Sequence, residues 1–195
     1  MLSLINMTLN DKKYLLQLAR RTIDKYLQSK NIIKLEDSEL TKALLDKRAT
    51  FVTLEKNHHL RGCIGDLEPQ KPLYQSVIDN SLASAFLDSR FPPLNKTELK
   101  DIIIEISILS PLKQIPLFKN SEELLNYLSH RKPGLLIKKN GFQATFLPQV
   151  WEELPEAKNF MTQLCLKAGM NPDEWQNLEM EIYEYQVEKF KDTQY

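Results

Sequence analysis

The chain has 195 residues, of which 42% are hydrophobic and 27% are charged. That composition is typical of a globular protein with a substantial core, and it excludes a low-complexity or fibrous chain. There are 26 basic residues (lysine plus arginine) and 26 acidic residues (aspartate plus glutamate). The net charge is therefore zero, which does not favour binding to nucleic acid. No apolar run approaches the ~20 residues that cross a bilayer. Cys63 and Cys165 form neither a CxxC pair nor a disulfide framework. From the cysteines we expect a cytoplasmic protein, and from the lack of a long apolar run we expect no membrane partner.

The first predicted elements are a helix and a hairpin. An amphipathic helix is predicted over residues 10–30, with Asn10 as its N-cap. The stretch ATFVTLEKNHHLRGCIG then predicts two strands joined by a polar turn at Lys56 to His59. Period-two alternation puts Leu60, Gly62 and Ile64 on one face of the second strand, and Arg61, Cys63 and Gly65 on the other.

The middle of the chain predicts a helix followed by a buried strand. A helix from about Leu73 to Leu87 is rich in small residues and ends before DSRFPPLN, whose paired prolines cannot continue it. The run DIIIEISIL predicts a strand that is buried on the face of its even-numbered isoleucines. Glu105 interrupts the opposite face.

The rest of the chain repeats this mixture of helices and hairpins. SEELLNYLSHR predicts a helix capped by Ser121, and GLLIKKNGFQATFLP predicts a hairpin with Asn140 and Gly141 as a type I′ turn. Two helical pieces then precede a last strand, EMEIYEYQVEKF. This order predicts an α+β fold, with a mostly antiparallel sheet and helices packed around it.

Cys63 is the first candidate for chemistry. A thiol becomes a nucleophile when a cation, an imidazole or a helix N-terminus stabilises its thiolate, and Arg61 is the candidate cation. Gly62 and Gly65 would let a substrate approach the backbone closely. The alternative is that Cys63 is a small apolar residue at a crowded strand end. The histidine pair at the hairpin tip lies roughly 13–17 Å along the strand from Cys63, so we expect neither histidine to act on it, and the histidines form no metal motif.

The other candidates each have a functional and a structural interpretation. Asp88 and Arg90 either bind a polar ligand or stabilise their own loop. Glu105 is either an active carboxylate or the ion-pair partner of an arginine. The stretch TFLPQVWEELP either lines a pocket or forms a well-packed chain reversal.

These stretches together resemble the AMMECR family, whose prokaryotic members are called AmmeMemoRadiSam system protein A. The resemblance covers most of the chain and rests on LRGCIG at Leu60 to Gly65, DSRFPPL at Asp88 to Leu94, IEISIL at Ile104 to Leu109, ATFLPQVWEELP at Ala144 to Pro155, and LCLKAGM at Leu164 to Met170. It implies one α+β domain over residues 1–195 with two lobes, and a cleft between them beside the hexapeptide.

The resemblance also implies site residues and partners, but no particular reaction or cofactor. The partners would be Memo-like and radical SAM proteins in a shared modification pathway. The implied site residues are Arg61, Gly62, Cys63, Gly65, Asp88, Arg90, Phe91, Glu105, Thr145, Pro148, Gln149 and Trp151.

Two hypotheses follow. In the first, the protein is an enzyme or an accessory subunit of one, with Cys63, Arg61 and Glu105 as catalytic residues. In the second, it is a non-catalytic module that binds a protein or a small molecule through the same residues.

Overall fold

A computed structural model describes residues 7–192, so the two ends of the predicted 1–195 domain lie outside the described residues. The helices are α1 (Leu9–Ser29), α2 (Lys42–Leu45), α3 (Leu73–Phe86), α4 (Ser121–Arg131), α5 (Val150–Glu153) and α6 (Ala157–Lys167). The strands are β1 (Thr50–Lys56), β2 (His59–Gly65), β3 (Ile102–Leu109), β4 (Lys113–Gln114), β5 (Gly134–Lys139), β6 (Phe142–Phe146), β7 (Glu181–Tyr185) and β8 (Val187–Lys191). Short 3-10 helices lie at Asp37–Glu39, Leu99–Asp101 and Glu174–Asn177.

The chain divides into two compact units. The first runs to Pro111 and resumes at Glu188, and the second comprises Leu112–Val187. The first contains a four-stranded sheet of order β2-β1-β3-β8, and the second a four-stranded sheet of order β4-β7-β5-β6. The pairs β1–β2, β1–β3, β4–β7, β5–β6 and β5–β7 are antiparallel. The predicted α+β class is thereby confirmed, with two sheets in place of one.

The helix starts differ by a residue or two from the predicted ones. Thr8, and not Asn10, caps α1, because the Thr8 hydroxyl accepts from the Asp11 backbone N–H while the Asp11 carboxylate accepts from the Thr8 N–H. Asn120, and not Ser121, caps α4 by accepting from the backbone N–H of Glu123. In each case the predicted residue falls inside the first turn.

Both predicted hairpin turns are confirmed. Asn57 and His58 have positive φ angles of 51° and 64° between β1 and β2, and Asn140 and Gly141 have φ angles of 50° and 83° between β5 and β6. Positive φ at both central positions is the geometry of a type I′ turn, which matches the twist of an antiparallel hairpin.

The predicted alternation along β2 fails at one place. Gly62 lies opposite Leu54 and Leu60 lies opposite Glu55, so Arg61 is the extra residue of a β-bulge. The alternation predicted Leu60 on the same face as Gly62 and Ile64. Because of the bulge, Leu60 lies instead on the opposite face of the sheet, together with Glu55. Residues opposite each other share a face, so the residues from Gly62 to Gly65 keep the predicted alternation, whereas Leu60 does not.

Helix α3 packs on the buried face of the first sheet with a stripe of polar side chains. Ser76, Asn80 and Ser84 recur every four residues and are buried. The Ser84 hydroxyl donates to the Val52 carbonyl at 2.7 Å and accepts from the Ile64 N–H at 2.9 Å. The side chain of Ser84 thus joins β1, β2 and α3. The rest of this core is mostly aliphatic, and most of it comes from α1, α3 and the sheet.

The second unit has its own core, in which Trp151, Phe160, Leu164 and Cys165 are buried. The predicted last strand is wrong as a single element. It divides at Gln186 into β7, which belongs to the second unit's sheet, and β8, which belongs to the first unit's sheet. Within residues 7–192, none of the helices is both long enough and apolar enough to span a membrane.

Candidate functional site

Cys63 lies in a row of side chains across three strands of the first sheet. The register pairs Cys63 on β2 with Thr53 on β1, and Thr53 with Glu105 on β3. All three are half-buried and belong to the face opposite the aliphatic core, here called the open face. The Thr53 hydroxyl donates to the Cys63 Sγ at 3.3 Å. A thiol, a hydroxyl and a carboxylate therefore follow one another over about 10 Å, the width of two strand spacings.

The backbone of Cys63 is held at the outer edge of the sheet by two charged side chains. Its N–H donates to Asp88 Oδ2 at 2.8 Å, and its carbonyl accepts from Arg90 Nη2 at 3.1 Å. Asp88 and Arg90 also form an ion pair at 2.7 Å. Because β2 is an edge strand, these side chains occupy the hydrogen-bonding positions that a further strand would take. We call them the Asp88–Arg90 pair.

The charges of this pair are strongly coupled. The Arg90 side chain, which is bonded to both carboxylate oxygens, holds the pKa of the buried Asp88 far below its ordinary value. The hydrogen bond to Asp88, with smaller contributions from the charges of Asp88 and Cys63, raises the pKa of Arg90. The pair is ionised across the physiological pH range.

Arg61 has a different partner from the one that the sequence suggested. Its Nε and Nη2 donate to the two carboxylate oxygens of Glu98 at 3.2 and 3.1 Å, and Nη2 also donates to the Pro92 carbonyl. Glu98 accepts a further bond from Lys56 at 3.0 Å. The Arg61 guanidinium therefore joins the bulge of β2 to the loop between α3 and β3. The guanidinium that bonds to the backbone of Cys63 belongs to Arg90.

The ion pairs of Glu98 make the stability of this network depend on pH. The hydrogen bond from Arg61, followed by that from Lys56, lowers the pKa of Glu98 to about 2 even though burial opposes the shift. A lowered pKa in the folded state stabilises the protein above pH ~4.5, the value for an unfolded glutamate, and this contribution disappears as the pH falls toward 2. The lowered pKa of Glu98 corresponds to a contribution of about 3 kcal/mol to the free energy of unfolding at neutral pH.

We therefore expect Glu98→Gln to be less stable than the wild type at pH 7, with the gap narrowing as the pH falls from 4.5 to 3. Thermal unfolding at a series of pH values measures this. Glu152→Gln, at an exposed position on α5, is the control and should follow the wild type. A gap for Glu98→Gln that stays constant with pH would contradict the proposed ionic role of Glu98.

The remaining predicted residues of the first unit surround this network. The Phe91 ring lies 5.5 Å from the Arg90 guanidinium and 6.0 Å from that of Arg61, within range of cation–π attraction. A Cβ on Gly62 would overlap the Ser84 backbone, and one on Gly65 would overlap the Phe51 ring. Both glycines are thus required by packing. Among residues 7–192, no arginine bonds to Glu105.

The other predicted site residues belong to the second unit, where two of them have structural partners. Trp151 is 4% exposed, stacks on Phe160 and donates its Nε1–H to the Pro133 carbonyl at 2.8 Å. The Thr145 hydroxyl bonds to the Leu135 carbonyl and to the Tyr185 hydroxyl, each at 2.7 Å.

Pro148 and Gln149 are half-buried in the turn before α5, where their carbonyls accept from the N–H groups of Trp151 and Glu152. Their roles in binding stay predictions. The turn itself is formed by the backbone.

The histidines lie where the sequence argument placed them. His58 and His59 are exposed at the tip of the first hairpin, as expected. His130 belongs to the predicted SEELLNYLSHR helix and lies in the last turn of α4, where its Nδ1 bonds to the Asn126 carbonyl. Across residues 7–192, no group of three or more His, Cys, Asp or Glu side chains is placed to hold a metal ion.

Sequence reasoning missed Thr53, Ser84 and Glu98. Glu98 had a readable signal, since Asn95 and Glu98 have the spacing of a capping box. The side-chain Oδ1 of Asn95 accepts from the Glu98 N–H, and the Glu98 carboxylate accepts from the Asn95 N–H. Thr53 and Ser84 had none, because their contacts with β2 depend on pairing between distant parts of the chain.

Comparisons with known proteins agree on one family. The AMMECR1 family model matches residues 16–190, which include parts of both units. Protein MK0488 of Methanopyrus kandleri is 35% identical over 196 residues, covering 96% of this chain and 91% of that protein. Protein MJ0810 of Methanocaldococcus jannaschii is 32% identical over 191 residues, covering 96% of this chain and 93% of that protein.

A solved structure agrees with these sequence matches. The crystal structure of an uncharacterised protein, PH0010 from Pyrococcus horikoshii, superposes with a TM-score of 0.81 at 32% identity and covers 91% of this chain and 89% of that one. The resemblance inferred from the LRGCIG and TFLPQVW stretches is confirmed, and the chain belongs to the AMMECR1 family.

Proposed function

We propose that this protein is an enzyme, or an accessory subunit of one, that uses the Cys63 thiol on the open face of the first sheet. One observation carries the proposal. The Cys63 side chain is half-buried beside the Thr53 hydroxyl, while both hydrogen-bonding groups of its backbone are held by the Asp88–Arg90 pair. A reacting group fixed in this way on a rigid strand is pre-organised for chemistry.

In this proposal the residues have distinct roles. Cys63 is the nucleophile, and the Thr53 hydroxyl orients the sulfur. Glu105 lies two strands away in the same row and is the group that would exchange a proton with a bound substrate. Arg61 positions the loop that carries Phe91 through its bonds to Glu98 and Pro92.

Alkylation by iodoacetamide tests the nucleophile. The reagent forms a bond between sulfur and its methylene carbon and releases iodide, so its rate reports thiolate at the surface. Cys165 is an internal control, because it is fully buried and burial raises the pKa of its thiol. We expect Cys63 to be modified at least tenfold faster than Cys165 at pH 7, as read by peptide mass mapping. A folded protein in which Cys63 stays unmodified would overturn the proposal.

We further propose that the protein acts in the cytoplasm in a modification pathway with Memo-like and radical SAM proteins. Family membership supports this, and two free cysteines fit a reducing compartment. Affinity purification of the tagged chain from a host that encodes all three proteins tests it. The expected result is recovery of both partners with the wild type, and a purification that recovers neither would contradict it.

A second candidate function is a non-catalytic binding module, and one observation favours it. The side chains of Arg61 and Asp88 are largely buried and bonded within the protein, so these two residues support the surface around Cys63 through internal bonds. Under this alternative Cys63→Ser keeps partner binding intact. Loss of the partner in a folded Cys63→Ser variant would favour the thiol-dependent function instead.

A further inference from the structure

The Asp88–Arg90 pair places two opposite charges against the backbone of Cys63. The Arg90 nitrogen is 3.1 Å from the Cys63 carbonyl oxygen, and a cysteine sulfur lies within about 5 Å of its own carbonyl oxygen. The guanidinium is therefore within about 8 Å of Sγ. The Asp88 carboxylate oxygen is 2.8 Å from the Cys63 nitrogen, which places it within about 7 Å of Sγ by the same reasoning.

We infer that the Asp88–Arg90 pair sets the reactivity of the Cys63 thiol, with Arg90 favouring the thiolate and Asp88 opposing it. This inference rests on the proposed function, because it names the residues that position and tune the proposed nucleophile. The two residues act through Cys63 and are positioning residues. The charge of Cys63 is among the causes that raise the pKa of Arg90, after the hydrogen bond to Asp88 and the charge of Asp88.

A purely structural role for the pair predicts a different pattern. If Asp88 and Arg90 only hold the edge of β2, removing either one loosens the same backbone and changes the reactivity of Cys63 in the same direction. If their charges act on the sulfur, removing the cation and removing the anion change it in opposite directions. Whether the two substitutions change the reactivity of Cys63 in the same or in opposite directions therefore distinguishes a structural role from an electrostatic one.

The other charged groups near β2 stay constant in this comparison. Arg61 and Glu98 pair with each other, and Glu55 on β1 faces Lys191. Glu105 lies on β3 two strands away, and Asp79 on α3 pairs with Lys71 on the other side of the sheet. Their fields act on the wild type and the variants alike, so a difference between variants reports the Asp88–Arg90 pair.

The experiment is the iodoacetamide rate of Cys63 as a function of pH in Arg90→Gln and Asp88→Asn. Single charges at these distances change an ionisation equilibrium by about half a unit to one unit of pH in a partly solvated site. We expect Arg90→Gln to slow alkylation at pH 7 about three- to tenfold and Asp88→Asn to accelerate it by a similar factor. The midpoint of the rate profile should move up in the first variant and down in the second.

Two controls complete the design. Arg90→Lys keeps the charge and should stay within about twofold of the wild-type rate, and Arg21→Gln removes an exposed cation from α1 and should have no effect. Circular dichroism and thermal unfolding select the variants that remain folded, and high salt should shrink both shifts. If both variants change the rate in the same direction, or neither changes it, the inference is overturned while a reactive Cys63 keeps the proposed function. An inert Cys63 in the wild type overturns the proposed function itself.

Discussion

Replacing Trp151 by alanine is expected to lower the free energy of unfolding by about 3–5 kcal/mol. The indole is 4% exposed, and its ring centroid lies 3.9 Å from that of Phe160 with the two planes 8° apart. Alanine would leave a cavity beside Phe160 and leave the Pro133 carbonyl without its donor. Chemical denaturation monitored by circular dichroism measures the loss.

Trp151→Phe is the matched variant. It keeps an aromatic ring against Phe160 and removes the donor to Pro133, so we expect a smaller loss of about 1–3 kcal/mol. An alanine variant within 1 kcal/mol of the wild type would show that the indole does not support this core. The result also bears on binding experiments, since a Trp151→Ala protein that loses a partner has first lost stability. Gln149, which is half-buried, is the better position for testing that surface.

Replacing Gly62 by alanine is the second substitution with a large expected effect. The new Cβ would lie 3.1 Å from the Ser84 carbonyl carbon and closer still to its oxygen. Both neighbours are backbone, so relief requires β2 and α3 to separate, and this would also disturb the Ser84 hydroxyl that bridges Val52 and Ile64. We expect a loss of about 3 kcal/mol, at the upper end for overpacking, measured by the same denaturation experiment.

Gly141→Ala is the control for a glycine without crowding. No atom lies within 4 Å of a Cβ built at this position, but its φ of +83° disfavours alanine, and we expect a loss of about 1 kcal/mol. Gly62 does not have the positive φ of Gly141, so a loss in Gly62→Ala no larger than that in Gly141→Ala would show that contact with α3 does not require the glycine at position 62.

Local signals in the sequence predicted much of the fold. The Asn140–Gly141 turn and the even-numbered isoleucines of β3 were readable because turn chemistry and period-two burial act between near neighbours. The division at Gln186 was not readable. Apolar and polar residues alternate on both sides of Gln186, and no glycine or proline marks a break. The assignment of β7 and β8 to different sheets depends on pairing with strands that are distant in the sequence.

The candidate site was harder to predict for the same reason. One inserted residue at Arg61 changes which side chains share a face, and period-two reasoning has no means of detecting a bulge. The sequence placed Arg61 two positions from Cys63 and suggested it as the cation. The guanidinium bonded to Cys63 comes instead from Arg90, 27 positions later. The residue types at the site were predictable, but their partners required the tertiary structure.

The order of the strands has a consequence for synthesis on the ribosome. The first sheet takes its fourth strand, β8, from residues that are translated only after residues 112–186. Until then the nascent chain exposes the unpaired edge of β3, a strand rich in isoleucine, for the time needed to add about 75 residues. At typical elongation speeds this lasts several seconds. During that interval a chaperone that covers β3 would protect the growing protein from aggregation.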